Sequence, residues 1–360
     1  MAFPTFSGAY VGTYTSGTQS KGIYFLSFSS HTGQGWVQPV AELVNPSYLL
    51  FSPDRRSLYA VSERLEYQGC CGGAAASFAI NWANGALFST GLFPTFGKDP
   101  CHLSTDKEGK RLFVSNYTQG TCSIFPLLED GRLLPMCQEI THLRRQSMGE
   151  KPGNPLLQEW SHVHCARLFP DESKLLLCDL GIDRLVCYPY RQGTAVLTPC
   201  SSLLFPAGAG PRHFVFHPFL PVIYAACELS SRVAAISLDE KGNMKISQLL
   251  STLPPNASDE NACAAIKISS DGRFLYVSNR GHNSLACFSL NTEGKLEWME
   301  NIDCGGLCPR DISLDSTGNW LLSANQDSSS LSVFSRSQDT GRLQDTGQRV
   351  SVPCPVCLCF

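Results

Sequence analysis

The stretch PRDISLDSTGNWLLSANQ at residues 309–326 contains a short apolar strand, an Asp/Gly turn and a second strand that ends in polar residues. The same pattern recurs in PSYLLFSPDRRSLYAVSE (46–63), PCHLSTDKEGKRLFVSNY (100–117), HVHCARLFPDESKLLLCDL (162–180), PRHFVFHPFLPVIYAACEL (211–229) and CAAIKISSDGRFLYVSNR (263–280). A seventh copy is split between the chain ends, with PVCLCF at 355–360 and GAYVGTYTSG at 8–17. One such unit cannot bury a core alone, so the copies are expected to stack into one repeat architecture.

A third and a fourth strand are predicted after each copy of this pattern. The third is clear in AAASFAIN at 74–81 and SLSVFSRS at 330–337, and the weaker fourth follows a Gly-containing turn, as in EGKLEWMENID at 293–303. Four-strand units that recur about every 50 residues are typical of propeller blades. The sequence therefore predicts an all-β fold, a seven-bladed β-propeller with four antiparallel strands in each blade. The split seventh copy predicts that the C-terminal strand pairs with the N-terminal strands and closes the ring.

The repeats predict a single domain over residues 1–360, because a repeat ring grows by adding blades rather than separate cores. The closing blade would combine residues 8–43 with residues 355–360. One segment interrupts the pattern, HLRRQSMGEKPGNPLLQEWS at residues 142–161. It is long for a blade connection and is predicted to be an irregular loop that either has a function or covers one face of the ring.

Charge and hydropathy exclude several classes of partner. The formal net charge is −3, and no basic stripe with interleaved aromatic residues is present, so nucleic acid is not expected to bind. No apolar run has the length needed to cross a bilayer, so no membrane association is expected. The first residues lack the basic segment, apolar core and cleavage site of a secretory signal, and a cytoplasmic location is predicted.

Seventeen cysteines is a high and odd number for such a chain. Several lie inside strand patterns, where a thiol acts as a small apolar side chain, and this reading fits a reducing compartment. Cys354 and Cys357 form a CxxC pair, but the second belongs to the closing strand, and no further CxxC or His pair completes a tetrahedral site. Neither a metal nor another cofactor is therefore expected.

The repeat geometry predicts where a functional site lies. The first and second strands of a blade are antiparallel, so the start of one lies beside the end of the other, and all blades bring these positions to one mouth of the central channel. The residues at these positions are Tyr14, Glu63, His102, Asn116, Tyr117, His162, His164, Asp179, Arg212, His213, Glu228, Arg280, Arg310, Asp311, Asn325 and Gln326.

Most of these polar residues have a structural explanation, because polar side chains cap strand ends and satisfy backbone groups. This explanation is favoured for His102, Asp179, Asp311 and Asn325. Two arginines at one channel mouth, by contrast, repel each other unless a carboxylate or a bound anion lies between them. Such a cluster of titratable groups is typical of a functional site.

The chain resembles the lactonase family of seven-bladed propellers, which includes propeller-type 6-phosphogluconolactonases and fungal carboxy-cis,cis-muconate cyclases. The resemblance rests on YVGTYT at 10–15, NPSYLLFSPD at 45–54, GPRHFVFHP at 210–218, YAACELSSRV at 224–233, DGRFLYVSNRGHNSL at 271–285 and PRDISLDSTGNWLLSANQ at 309–326. It implies a catalytic set of His164, Arg212, Glu228 and Arg280. The same mouth offers four candidate substrate-binding residues: His213, Arg310, His162 and Gln326.

The resemblance implies an enzyme that hydrolyses an anionic sugar lactone, most simply 6-phospho-D-glucono-1,5-lactone of the oxidative pentose phosphate pathway. General acid–base chemistry without a metal suits this set, with a carboxylate to handle the proton and arginines to bind anionic oxygens. One alternative is a carboxymuconate-type lactonizing enzyme or cyclase that uses the same residues on a carboxylate substrate. Another is a non-catalytic propeller that binds a protein partner.

Overall fold

The structure, a computed structural model, describes residues 6–142, 152–191, 194–257 and 260–360. The described residues form seven four-stranded antiparallel sheets, which we number as blades in chain order. From the inner to the outer strand, blade 1 contains Leu49–Phe51, Ser57–Ser62, Ala74–Asn81 and Ala86–Pro94; blade 2 contains Pro100–Thr105, Arg111–Asn116, Thr121–Pro126 and Gln138–Thr141; blade 3 contains Val163–Leu168, Lys174–Asp179, Arg184–Arg191 and Ser201–Leu204.

The remaining blades have the same order. Blade 4 contains Pro211–Phe216, Val222–Cys227, Arg232–Leu238 and Met244–Ser251; blade 5 contains Ala262–Ile268, Phe274–Arg280, Ser284–Leu290 and Leu296–Asp303; blade 6 contains Pro309–Leu314, Trp320–Asn325, Ser330–Arg336 and Leu343–Ser351; blade 7 contains Pro355–Cys359, Phe6–Thr13, Gly22–Ser29 and Gly35–Glu42. Short strands outside this pattern are Glu66–Tyr67, Cys70–Cys71 and Thr194–Ala195.

Blade 7 closes the ring as the sequence predicted. Its inner strand comes from the C-terminus and pairs antiparallel with Phe6–Thr13, with Tyr10 opposite Cys359 and Val11 opposite Leu358. The seven inner strands then contact one another in a complete circle, from blade 1 through blade 7 and back to blade 1. The predicted all-β, seven-bladed fold and its closure are confirmed.

The hydrophobic cores lie between blades rather than within them. Each of the seven pairs of neighbouring blades shares one cluster of buried apolar side chains. In the third strand of blade 5, Ala286 and Phe288 join the core toward blade 4, whereas Leu285 and Cys287 join the core toward blade 6. The alternating pattern of such a strand therefore separates two cores, since both of its faces are buried.

Buried tyrosines connect neighbouring blades at three places. In each case a hydroxyl from the second strand of one blade donates to the carbonyl oxygen of a glycine in the outer turn of the next blade. The pairs are Tyr10 with Gly85 at 3.0 Å, Tyr224 with Gly294 at 2.6 Å, and Tyr276 with Gly341 at 2.7 Å. All three glycines have positive φ, so the turns that present these carbonyls favour glycine.

The cysteines are mostly core residues. All seventeen are free, and five that lie in second and third strands are fully buried: Cys122, Cys178, Cys187, Cys227 and Cys287. Among the described residues, no group of three or more His, Cys, Asp or Glu side chains could hold a metal ion. The same residues contain no helix long and apolar enough to span a bilayer.

Part of the predicted loop at 142–161, residues 143–151, lies outside the described residues. The described parts of the loop attach to blade 3 through Asp179, a fully buried carboxylate. His142 Nδ1 and Ser161 Oγ lie 2.6 and 2.5 Å from Asp179 Oδ2, while the backbone N–H of His162 donates to Oδ1 at 2.8 Å. Asp179 is therefore a structural anchor, in agreement with the interpretation favoured from the sequence.

Candidate active site

A repeated β-bulge directs the site residues into the channel mouth. In blades 2, 3, 4 and 6 the register of the inner strand shifts by one residue directly after its first position. The extra residues that this shift leaves without a ladder partner are Cys101, His164, Arg212 and Arg310. A bulge turns one side chain away from the regular alternation. Four blades thus present one side chain each at the same mouth.

Glu228 lies between two arginines at this mouth. Its Oε2 is 2.8 Å from Arg212 Nε and 2.9 Å from Arg280 Nη2. Each guanidinium group also donates a hydrogen bond to a backbone carbonyl. Arg212 Nη1 donates to Ala264 O at 2.8 Å, and Arg280 Nη2 donates to Cys263 O at 3.0 Å. The Arg212 side chain is only 4 % exposed, while those of Arg280 and Glu228 retain 16 and 18 % exposure. The carboxylate is therefore held rigidly but remains open toward solvent.

The electrostatic environment keeps this group of three ionised. Burial disfavours the Glu228 carboxylate, but the attraction of Arg280 and Arg212 outweighs it and holds the pKa of Glu228 below its usual value. Burial and repulsion from Arg280 lower the pKa of Arg212, although a guanidinium stays cationic at any physiological pH. At neutral pH the site is an anion between two cations, with one positive charge in excess.

Arg310 belongs to a second network at the same mouth. Its Nη2 donates to Tyr14 Oη at 2.6 Å, and Tyr14 Oη donates to Glu63 Oε1 at 2.8 Å. Ser47 Oγ bonds the other oxygen of Glu63. The arginine also lies over the Tyr14 ring, 5.0 Å from its centroid. Burial opposes the charge on Arg310, but Tyr14 and Glu63 more than compensate and raise its pKa.

His164 adjoins both groups as a neutral imidazole. Its Nδ1 lies 3.6 Å from Cys101 Sγ, and its ring lies 4.9 Å from the ring of His213. Burial, followed by the positive field of Arg212, holds the pKa of His164 well below its usual value. His213 has a similarly lowered pKa, and its Nδ1 is 3.3 Å from Arg212 Nη1. Neither histidine carries a charge at neutral pH.

Tyr117 connects the remaining histidine to the site. The His162 ring stacks on Tyr117 with centroids 4.4 Å apart, and Tyr117 meets His164 edge-on at 5.5 Å. The side chain of Gln326 donates instead to Asp327 at 3.1 Å. Glu228 thus contacts both Arg212 and Arg280 directly. The rings of His164 and His213 pack against each other at the same mouth, whereas Gln326 makes none of these contacts.

Several residues at this mouth were not among the predicted site residues. A small cavity of about 10 Å³, close to the volume that one water molecule needs, is lined by Ser47, Tyr48 and Cys101 as well as by His164, Arg212 and Arg310. Cys101 is the second residue of the inner strand of blade 2, and Ser47 and Tyr48 directly precede the inner strand of blade 1. The position rule that predicted the other mouth residues therefore also indicates these three.

A closed seven-bladed ring with an arginine-flanked carboxylate at one channel mouth defines a class of β-propeller with an enzyme-like site. The family model described as "Lactonase, 7-bladed beta-propeller" matches residues 8–360. The chain therefore belongs to the lactonase family of seven-bladed β-propellers, as its sequence motifs predicted.

Relatives across this family are similar over almost their whole length. A 6-phosphogluconolactonase of Bacillus subtilis is 36 % identical over 355 residues, which cover 98 % of this chain and 97 % of the relative. A 6-phosphogluconolactonase of Formosa agariphila is 33 % identical over 350 residues, with 95 and 96 % covered. The solved structure of a periplasmic gluconolactonase of Pseudomonas aeruginosa matches with a TM-score of 0.88 at 31 % identity and 98 % coverage of both chains. The prediction of a lactonase-type enzyme, a carboxylic ester hydrolase, is confirmed.

Proposed function

We propose that this protein hydrolyses 6-phospho-D-glucono-1,5-lactone to 6-phosphogluconate, the lactone-opening step of the oxidative pentose phosphate pathway. The observation that carries the proposal is the Glu228 carboxylate fixed between Arg212 and Arg280 at an open channel mouth. Two relatives that cover nearly the whole chain are named for this reaction, which favours it over other lactones. Seventeen free cysteines suit a reducing compartment and support a cytoplasmic location.

Glu228 would act as the proton acceptor. Because its pKa is lowered, it is a carboxylate at neutral pH and can take a proton from the attacking water. The hydroxide oxygen then bonds to the lactone carbonyl carbon, and the carbonyl oxygen becomes an oxyanion. When the bond from that carbon to the ring oxygen breaks, the protonated Glu228 returns its proton to the leaving oxygen. One carboxyl group thus serves as base and then as acid.

Arg212 and Arg280 would stabilise the charge that develops in this step. Both guanidinium groups are positioned before substrate binds, because each donates to a backbone carbonyl of blade 5. Preorganised cations require little rearrangement when an oxyanion forms, and this is the usual source of large electrostatic rate effects. The excess positive charge of the group then matches an anionic transition state.

Arg310 would hold the phosphate of the substrate. Tyr14 and Glu63 fix the orientation of its guanidinium group, while its remaining donors can form charge-assisted bonds to phosphate oxygens. His213 and His162 contact the same mouth through His164 and Tyr117. His164, neutral at working pH, would orient the water through a hydrogen bond rather than through charge.

The test is hydrolysis of 6-phosphogluconolactone by the purified protein, with the spontaneous rate subtracted. Arg212→Ala, Glu228→Gln and Arg280→Ala are measured beside the wild type, and unphosphorylated glucono-1,5-lactone is measured as a second substrate. We expect turnover well above background that is lost in all three variants, with preference for the phosphorylated lactone. A folded wild-type protein that accelerates neither lactone would refute the proposal.

A further inference from the structure

A second cavity opens at the opposite end of the central channel from the candidate active site. Its volume is about 510 Å³, and we call it the lower cavity. The inner strands that begin at the active-site mouth end here: His164 and Arg167 lie on the same strand, about 10 Å apart along it. The lower cavity uses none of the residues to which we assign a role in lactone hydrolysis.

The side chains that line the lower cavity are predominantly cationic. Arg167, Lys267 and Lys107 contribute positive charges, and Glu172 is the one acidic side chain among the lining residues. Glu172 is already engaged, since its Oε1 accepts a hydrogen bond from the backbone N–H of Lys107 at 2.6 Å. The lining side chains therefore carry a surplus of two positive charges, which the carboxylate of Asp311 beside Lys267 reduces to one.

These charges are incompletely matched by the protein. Lys267 Nζ lies 3.8 Å from Asp311 Oδ1, which is too long for a hydrogen bond. The other oxygen of Asp311 accepts from the backbone N–H of Leu358 at 2.8 Å. Arg167 is exposed near the end of its strand, and none of the ion pairs or side-chain hydrogen bonds within the described part of the chain involves it. A guanidinium and an ammonium thus face one cavity with most of their donors available.

A partition of neutral aromatic rings separates the lower cavity from the active site. Tyr48 lines both cavities, and its ring lies 4.5 Å from the ring of His102, which in turn lies 5.3 Å from the ring of His213. His102 is buried, and its Nδ1 has no hydrogen-bond partner among the described residues. Burial, and then the positive fields of Arg167 and Lys267, hold the pKa of His102 well below its usual value.

We propose that the lower cavity binds the phosphate group of a small anion, with Arg167 and Lys267 as its principal contacts. The surplus positive charge of the lining attracts a phosphate anion, and an arginine can bind two of its oxygens while a lysine supplies a point charge. The volume exceeds what inorganic phosphate alone requires, so the site can also admit the organic part of a phosphorylated metabolite. The two sources, free phosphate and a phosphate monoester, share this chemistry.

Binding of an anion in the lower cavity is expected to change the pKa of His102. An anion between Arg167 and Lys267 neutralises the field that these groups exert on the imidazole, so the pKa of His102 must rise toward its usual value. The direction is fixed by the sign of the charges and does not depend on whether the protein hydrolyses any lactone. The change in the pKa of His102 therefore distinguishes failure of this proposal from failure of the proposed function.

The experiment is a calorimetric titration of the full chain, in a buffer free of phosphate and sulfate, with inorganic phosphate and separately with glycerol 3-phosphate. The double variant Arg167→Gln/Lys267→Gln removes the two contacts. Arg232→Gln/Lys245→Gln, two exposed residues in the outer half of blade 4, removes the same charge elsewhere. Arg310→Met removes the phosphate contact proposed for the active site. Imidazole resonances of His102 are followed by NMR in each case.

In the Arg310→Met background, which lacks the phosphate contact of the active site, we expect one phosphate bound by the parent and by the Arg232/Lys245 variant, and at least tenfold weaker binding in the Arg167/Lys267 variant. The Arg310 variant should keep the lower-cavity binding and the shift of the His102 resonances. Tighter binding of glycerol 3-phosphate than of phosphate would identify a monoester as the ligand. The proposal is overturned if the Arg310 variant binds neither probe at millimolar concentration, or if adding Arg167→Gln/Lys267→Gln to it leaves its binding unchanged.

Discussion

Replacing Glu228 by Gln tests the central feature of the site, a carboxylate held between two guanidinium groups. The change keeps the size of the side chain and removes its charge. Each contact, at 2.8 Å to Arg212 and 2.9 Å to Arg280, corresponds to a gross attraction of about 6 kcal/mol at an effective dielectric constant near 20. The cost of desolvating the charges cancels much of this gain, and removal of one partner from a buried ion pair leaves a net loss of about 3 to 5 kcal/mol.

This loss translates into a modest decrease in thermal stability. For 360 residues, about 3 to 5 kcal/mol corresponds to a fall of about 4 to 7 °C in the unfolding temperature. The effect on catalysis is much larger, because an amide cannot accept a proton from water, and loss of a general base typically costs about 10² to 10⁴ in rate. At 25 °C the variant should therefore be folded and nearly inactive.

The assay is lactone hydrolysis at 25 °C with the spontaneous rate subtracted, beside a thermal unfolding scan of the same preparation. Glu293→Gln is the matched control, because Glu293 is 68 % exposed and pairs with Lys295 in a turn of blade 5. We expect the control to retain full activity. A folded Glu228→Gln protein with more than a third of wild-type turnover would refute the assignment of Glu228 as the base.

Three further predictions test other parts of the structure. Arg310→Met should raise KM for the phosphorylated lactone at least tenfold and leave KM for the unphosphorylated lactone within twofold; equal effects on both would contradict a phosphate contact. For the unphosphorylated lactone, which has no phosphate to titrate, the profile of kcat/KM against pH should show no inflection near 6.5, because His164 stays neutral there, and should fall only in acid as pH drops through the lowered pKa of Glu228. Tyr224→Phe should lower the free energy of unfolding by about 1 to 3 kcal/mol, because it leaves a buried carbonyl oxygen unpaired. Tyr59→Phe should have little effect, because the Tyr59 hydroxyl has no hydrogen-bond partner among the described residues. Urea denaturation of the two variants measures the difference.

The fold was predictable because three separate features of the sequence show the repeat. Strand patterns, turn residues and the split seventh copy all indicate the same ring, and the structure confirms its closure. The clustering of Arg212, Glu228 and Arg280 was also predictable. Antiparallel pairing brings Arg212 beside Glu228 within blade 4, and the ring places the corresponding strand end of blade 5, with Arg280, next to them.

Other features of the site depend on geometry that the sequence does not display. The bulge that leaves His164 and Arg310 without a ladder partner is a shift in register, and no residue type marks it. The link from Arg310 through Tyr14 to Glu63 joins three blades, so no local pattern contains it. The neutral state of His164 likewise follows from burial and from the field of Arg212, which appear only in the folded protein.

Ring closure has a consequence for how this protein loses its structure. An open array of seven blades would have two ends, and an end blade could detach after losing one interface with its neighbour. Here every blade shares a core with two neighbours, so opening any one of them disrupts two cores at once. Fraying of the first and last described strands is thereby suppressed, because Phe6–Thr13 and Pro355–Cys359 pair with each other within one blade. The lifetime of the active protein is then set by a single cooperative opening of the circle rather than by gradual fraying.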